Sequence, residues 1–178
     1  MSRIIEEIEV DVPVRVAYDQ WTQFETFPQF MDGVERVVQL DDKTLEWTAN
    51  VAGKVKHWRA EIVEQRPDDM VAWRSTEGAQ NDGAIRFETQ GPDRTRLVLQ
   101  LDVEPEGLVE RAGDALGVVE RRVRGDLERF KDFIEHRGQS TGAWRGTVDD
   151  GRVEAGASGA LTGGVSGGTR TGGLGDGA

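Results

Sequence analysis

The chain has no cysteine among its 178 residues, a single tyrosine and only two histidines. Without cysteine there are no disulfides, no thiolate nucleophile and no cysteine-ligated metal. Two histidines, His57 and His136, are too few for a histidine-based metal centre, and neither a metal nor a cofactor is expected. Positive charge is also in deficit: 22 Lys and Arg stand against 33 Asp and Glu, for a net charge of −11. Nucleic acid and anionic membrane surfaces repel such a chain, so neither is an expected partner. No apolar run approaches the ~20 residues of a membrane span, which argues against stable membrane insertion. Met1 to Val10 carries Glu6, Glu7 and Glu9, unlike a signal or transit peptide. The expectation is a cytoplasmic protein.

What is present begins with one long stretch, Glu106 to His136. Leu108, Ala112, Leu116, Val119, Val123, Leu127, Phe130 and Ile134 recur at spacings of three and four, with charged residues between them. That spacing predicts an amphipathic helix of roughly 45 Å at about 1.5 Å per residue. Gly113 and Gly117 fall in its first half and weaken it there. A helix this long requires a large apolar partner.

The partner lies upstream. Arg3 to Val10 alternates and predicts an opening strand, followed by a short helix over Val14 to Phe24 and a second helical turn around Thr26 to Met31. From Gly33 to Val103 the period is two, divided at Asp41-Asp42-Lys43, Ala52-Gly53, Pro67-Asp68-Asp69, Gly78 to Gly83 and Gly91-Pro92-Asp93. Short turns between consecutive strands imply an antiparallel meander. The expected fold is α+β: a seven-stranded antiparallel curved sheet wrapped around a long C-terminal helix, with two short helices after the first strand. Residues 1–137 form the expected domain. Residues 138–178, rich in Gly, Ser, Thr and Ala, are expected to be disordered, because they cannot bury enough surface to offset chain entropy.

Alternation places Trp47, Trp58, Trp73, Ser75, Phe87, Leu99 and Leu101 on the inner face, with Leu116, Val119 and Val123 of the last helix opposite and Trp21, Phe27 and Phe30 at one end. The rings either fill the core or line an apolar pocket. Polar chemistry is scarce. Ser75 is the one inner hydroxyl, and no His and Asp join it in a triad; Arg36 is the other polar candidate for this face. Glu61 and Arg74 are expected to pair across neighbouring strands on the outer surface. No catalytic residue is assigned.

Phe27-Pro28-Gln29-Phe30-Met31 followed by Gly33-Val34, Leu45-Glu46-Trp47, Trp58-Arg59-Ala60-Glu61-Ile62, Ala72-Trp73-Arg74-Ser75, Gly83 to Phe87 and Phe130-Lys131-Asp132-Phe133-Ile134 resemble the START-like (SRPBCC) superfamily, in its polyketide cyclase/dehydrase and coenzyme Q-binding branch. The resemblance implies a helix-grip fold with a hydrophobic cavity between sheet and terminal helix. It also implies a hydrophobic small-molecule ligand: a lipid, an isoprenoid quinone or a polyketide-like compound. Two alternatives remain open. One is a polyketide aromatase/cyclase acting in the same cavity. The other is an interaction protein whose rings are core and whose tail or sheet edge recruits a protein partner.

Overall fold

A computed structural model describes residues 2–51, 53–104 and 112–154, and the side chains of the last helix from Leu116 onward. Strand β1 (Ser2–Val10) leads into α1 (Val14–Trp21) and a 3₁₀ turn over Phe24–Gln29. There follow β2 (Val34–Gln39), β3 (Thr44–Val51), β4 (Lys54–Arg66), β5 (Met70–Gly78), β6 (Asn81–Gly91) and β7 (Arg94–Val103), and then α2 (Ala112–Arg137). The strands pair antiparallel in the order β1-β7-β6-β5-β4-β3-β2. The meander and the two short helical pieces are as the alternation predicts. The expected start of α2 at Glu106, with Leu108, lies outside the described residues.

One boundary differs. Asn81-Asp82-Gly83, expected as a turn, opens β6, and Gly83 lies mid-sheet opposite both Trp73 and Leu101. A Cβ there would stand 2.7 Å from the Trp73 ring and 2.6 Å from the Gln100 carbonyl, so the glycine marks a close approach rather than a reversal.

The sheet curls because α2 is held along both its flanks. Val123, Leu127, Phe130 and Ile134 point down into the core, all buried. On one flank Arg124 forms a two-pronged ion pair with Glu6 of β1, and Lys131 Nζ donates to the Glu9 carbonyl at 3.0 Å. On the other, Arg129 Nε donates to the Phe30 carbonyl at 2.9 Å, Asp126 accepts the Asp32 amide at 2.9 Å, and Arg122 reaches the Asn50 carbonyl at 3.2 Å. The helix thus bridges the two edge regions of the sheet. Gly138, at φ 68°, closes it by donating its amide to the Ile134 carbonyl.

The expected domain boundary after residue 137 is too early. Residues 138–154 run back across α1 and end in a small hairpin, β8 (Thr147–Asp149) and β9 (Arg152–Glu154). Arg145 clamps Asp19 of α1 at 2.6 Å and Asp68 of the β4–β5 turn at 2.7 Å, with its guanidinium over the Tyr18 ring. Thr141 exchanges hydrogen bonds with the buried Gln20, and Trp144 donates its amide to Thr22. The hairpin docks for a simple reason. β4 has thirteen residues and β3 eight, so β4 outruns β3 beyond the Thr44–Glu61 pair, and β8 takes up its unpaired edge through Gln65–Val148. Composition hid this, because the segment holds its place with a few polar bonds and one buried apolar residue, Val148. The remainder of the tail, 155–178, lies outside the described residues.

Candidate ligand-binding site

The inner face divides into two regions. Beneath the C-terminal half of α2 the aromatic side chains close on each other: Phe130 meets Trp21 at 5.3 Å and Phe30 at 5.2 Å, and Phe27 meets Trp21, Phe24 and Phe30 within 5.5 Å. Trp21, Phe27 and Phe30 are each 2% exposed, and Phe87 lies against Tyr18 and Trp21. These four of the expected site residues are therefore packed core. Trp21, Phe27 and Phe30 do not stand at an accessible mouth.

Toward the N-terminal half of α2 the filling changes. Trp47 and Trp58, opposite each other on β3 and β4, stack with ring planes 6° apart and centroids at 5.6 Å. Trp47 also meets the buried Phe27 ring at 5.7 Å, and the other neighbours are small or half-buried: Ala49, Ala60, Val34, Val51, Trp73 and Ala79. Leu99, Leu101 and Val123 are buried, whereas Leu116 and Val119 of α2 are only partly so. Between Leu116 and Arg121 no side chain bonds to the sheet among the described residues, and the flank contacts begin at Arg122 and Arg124. A Cβ on Gly117 would meet nothing within 4 Å.

Polar groups near this wall are largely committed. Ser75 does lie on the inner face, but its Oγ donates to Asp82 Oδ1 at 2.8 Å and accepts the Asn81 amide at 3.1 Å. Asp82 also takes the Ser75 amide, replacing the sheet bond lost where β5 leaves β6 after Trp73. The Trp73 indole N–H faces Asn81 Oδ1 at 3.4 Å, while the Trp47 indole nitrogen is buried with no protein partner. Arg36 is exposed on the outer face, because a bulge between Val34 and Arg36 reverses the alternation.

Two inward charges escaped the sequence reading. Glu6 continues the parity of Ile4 and Ile8 yet is 9% exposed, neutralised by Arg124. Lys56 shares the face of Trp58, opposite Ala49, and His57 alone points outward to Thr48. Counting by two from Trp58 would have found Lys56.

Burial pushes the Asp126 carboxyl up from the usual carboxylate range, against the opposing pull of the Asp32 amide and Arg129. It likewise pushes the Tyr18 phenol up to about 12, despite the Gln65 amide donating to its oxygen. Both groups serve the packed region. No cluster of metal-ligating residues occurs among the described residues. Two surface hollows occur, the second reaching Val34 and Asn50 at the edge of the tryptophan wall. One, of about 360 Å³, is on the outer face, where Lys43, Glu61 and Arg74 neutralise each other as the cross-strand reading predicts. The other, of about 380 Å³, is open and lies beside the 3₁₀ turn and Arg129.

A curved antiparallel sheet gripping one terminal helix is the helix-grip fold of START-like proteins. The chain superposes on a START superfamily protein from Mycobacterium smegmatis with a TM-score of 0.60 at 17% identity, covering 76% of this chain and 95% of that one. A protein from Deinococcus radiodurans gives 0.60 at 26% identity over 76% and 99%. An aromatase/cyclase from a Streptomyces species gives 0.68 at 20% identity over 80% and 98%, a likeness of fold. The model of the family described as polyketide cyclase/dehydrase and lipid transport matches residues 10–132, and the chain belongs to that family. An uncharacterized 17.2 kDa protein of Streptomyces lincolnensis is 53% identical over 149 residues, 83% of this chain and 99% of the relative. No described helix is long and apolar enough to cross a membrane.

Proposed function

We propose that the chain binds and carries a hydrophobic small molecule between the tryptophan wall of β3–β5 and the N-terminal half of α2. The observation that carries this reading is the contrast inside one interior. Rings beneath Phe130 are fully buried, while Trp47, Trp73, Leu116 and Val119 stay partly accessible beside the stretch Leu116 to Arg121, which bonds to nothing in the sheet among the described residues. Apolar area left in this state is what a ligand covers, at about 25 cal/mol per Å² before the costs of binding. Trp58, Leu99, Leu101 and Val123 complete the wall. The placement of the polar groups favours carriage over turnover: the Ser75 hydroxyl is tied up by Asp82, and Arg36 faces outward. General acid–base chemistry on a poly-ketone needs free groups within reach of the substrate.

Native mass spectrometry of protein purified from its own host tests the reading. A bound lipophile that is lost in Trp58→Ala is the expected result. A protein that emerges empty and takes up no lipophile from a quinone and polyketide panel overturns it. Turnover of a poly-ketone, abolished by Ser75→Ala with binding intact, would replace carriage with cyclisation.

A further inference from the structure

We infer that the ligand is an anionic amphiphile, its apolar body against the tryptophan wall and its acid group at the rim beside Lys56 and Arg122. This rests on the carriage reading. Strand register places the charges. Trp47 lies opposite Trp58, Ala49 opposite Lys56 and Val51 opposite Lys54, so β4 presents Trp58, Lys56 and Lys54 in succession on one face toward the β3–β4 hairpin. Lys56 is half-buried there. From the opposite side Arg122 crosses from α2 to β3, its Nη2 donating to the Asn50 carbonyl at 3.2 Å. Cations thus flank Ala49 and Asn50 from two elements, just where the apolar wall ends. This occurs in a chain with eleven more acids than bases.

The deeper wall is neutral, with Ala49, Trp58 and Ala60 forming one cluster and the nearby Ser75 already bonded. An ion buried there would lose its hydration without a partner, whereas a head at the rim keeps water on one side and gains charge-assisted hydrogen bonds on the other. Lys56 already has an interaction within the folded chain, so the acid group shares or exchanges that contact. Carboxylate and phosphate heads satisfy the same chemistry.

The test compares cis-parinaric acid with its methyl ester, read by energy transfer from the tryptophans to the bound polyene. The acid is expected to bind about tenfold more tightly than the ester. Lys56→Gln should bring the acid down to the level of the ester without moving the ester, and Lys56→Arg should preserve the preference. Displacement of the bound acid by hexadecanoate or by hexadecyl phosphate tells which head is favoured. Equal binding of acid and ester by the unmodified protein overturns this inference and leaves carriage standing. A preference that survives Lys56→Gln also overturns it. Binding of neither probe removes the carriage reading, and this one with it.

Discussion

Under the C-terminal half of α2, Phe130 and Ile134 are fully buried, Phe30 and Trp21 touch Phe130 edge-on, and four residues of the helix bond to backbone or side chains on both flanks. Toward its N-terminal half Trp47, Trp58 and Trp73 share their cluster with Ala49, Ala60 and Ala79, and the helix side chains from Leu116 to Arg121 bond to nothing in the sheet among the described residues. Both regions are aromatic and both belong to one sheet. The difference lies in how far the rings are covered. Trp47 stacks on Trp58 and meets Phe27 at 5.7 Å, yet it and Trp73 stay partly exposed, a surface that something else can cover.

Substitutions can break this contrast, and the largest effect belongs to the packed end. Phe130→Ala should cost about 3–5 kcal/mol, because large-to-small changes at well-packed sites leave a cavity; chemical denaturation measures it. Trp73→Ala, at the half-buried end, should cost only about 1–2 kcal/mol while abolishing ligand uptake. Equal losses would mean that the two ends are packed alike.

Arg145→Ala comes next, at roughly 1–3 kcal/mol, since it leaves Asp19, whose side chain is 8% exposed, with only the longer pair to Arg15 at 3.7 Å; solvent access to Arg145 keeps the loss below that of a fully buried pair. Truncation after Arg137 should lower the melting temperature further, because it also uncovers the β4 edge. An unchanged melting curve would show that the clamp contributes nothing.

Titration probes the packed end. Tyr18 ionises near 10 in the unfolded chain and at about 12 in the folded one, so the folded state holds a proton that the unfolded state has lost. Stability therefore falls as pH rises from 10 toward 12, and Tyr18→Phe should flatten that part of the wild-type curve. Asp126 follows the same sign at lower pH. Its carboxyl is raised, so its contribution weakens as pH climbs above the ordinary carboxylate range, and Asp126→Asn should remove the slope. The smallest expected effect is Gly117→Ala, which should stabilise by about 0.5–1 kcal/mol and slow ligand uptake. Stopped-flow fluorescence showing unchanged or faster uptake would refute a bending role for this half of the helix.

Much of the fold was legible in order along the chain. Alternation from Leu45 to Val51 and from Leu97 to Val103 set strand faces, and the three-and-four spacing from Leu116 to Ile134 set the buried stripe of α2, because both periods are local consequences of backbone geometry. The site was legible only as a set of rings. Trp21, Phe27, Phe30 and Phe87 carry the same sequence signal as Trp47 and Trp73, and nothing local says which of them ends fully buried. Lys56 and Glu6 are a different case: parity with Trp58 and with Ile4 places both inside, where their charge is unexpected.

The sequence by itself determined the element order, the antiparallel meander, the apolar face of each strand and the absence of cysteine chemistry. Those properties depend on neighbours two to four residues away. Tertiary structure alone decided that the glycine of Asn81-Asp82-Gly83 accommodates the Trp73 ring, that residues 138–154 clamp α1 and extend the sheet beside β4, and that α2 is tied to both flanks from Arg122 onward. Each of these depends on residues brought together from distant parts of the chain, Arg145 with Asp19 or Lys131 with Glu9, and no local period encodes such a meeting.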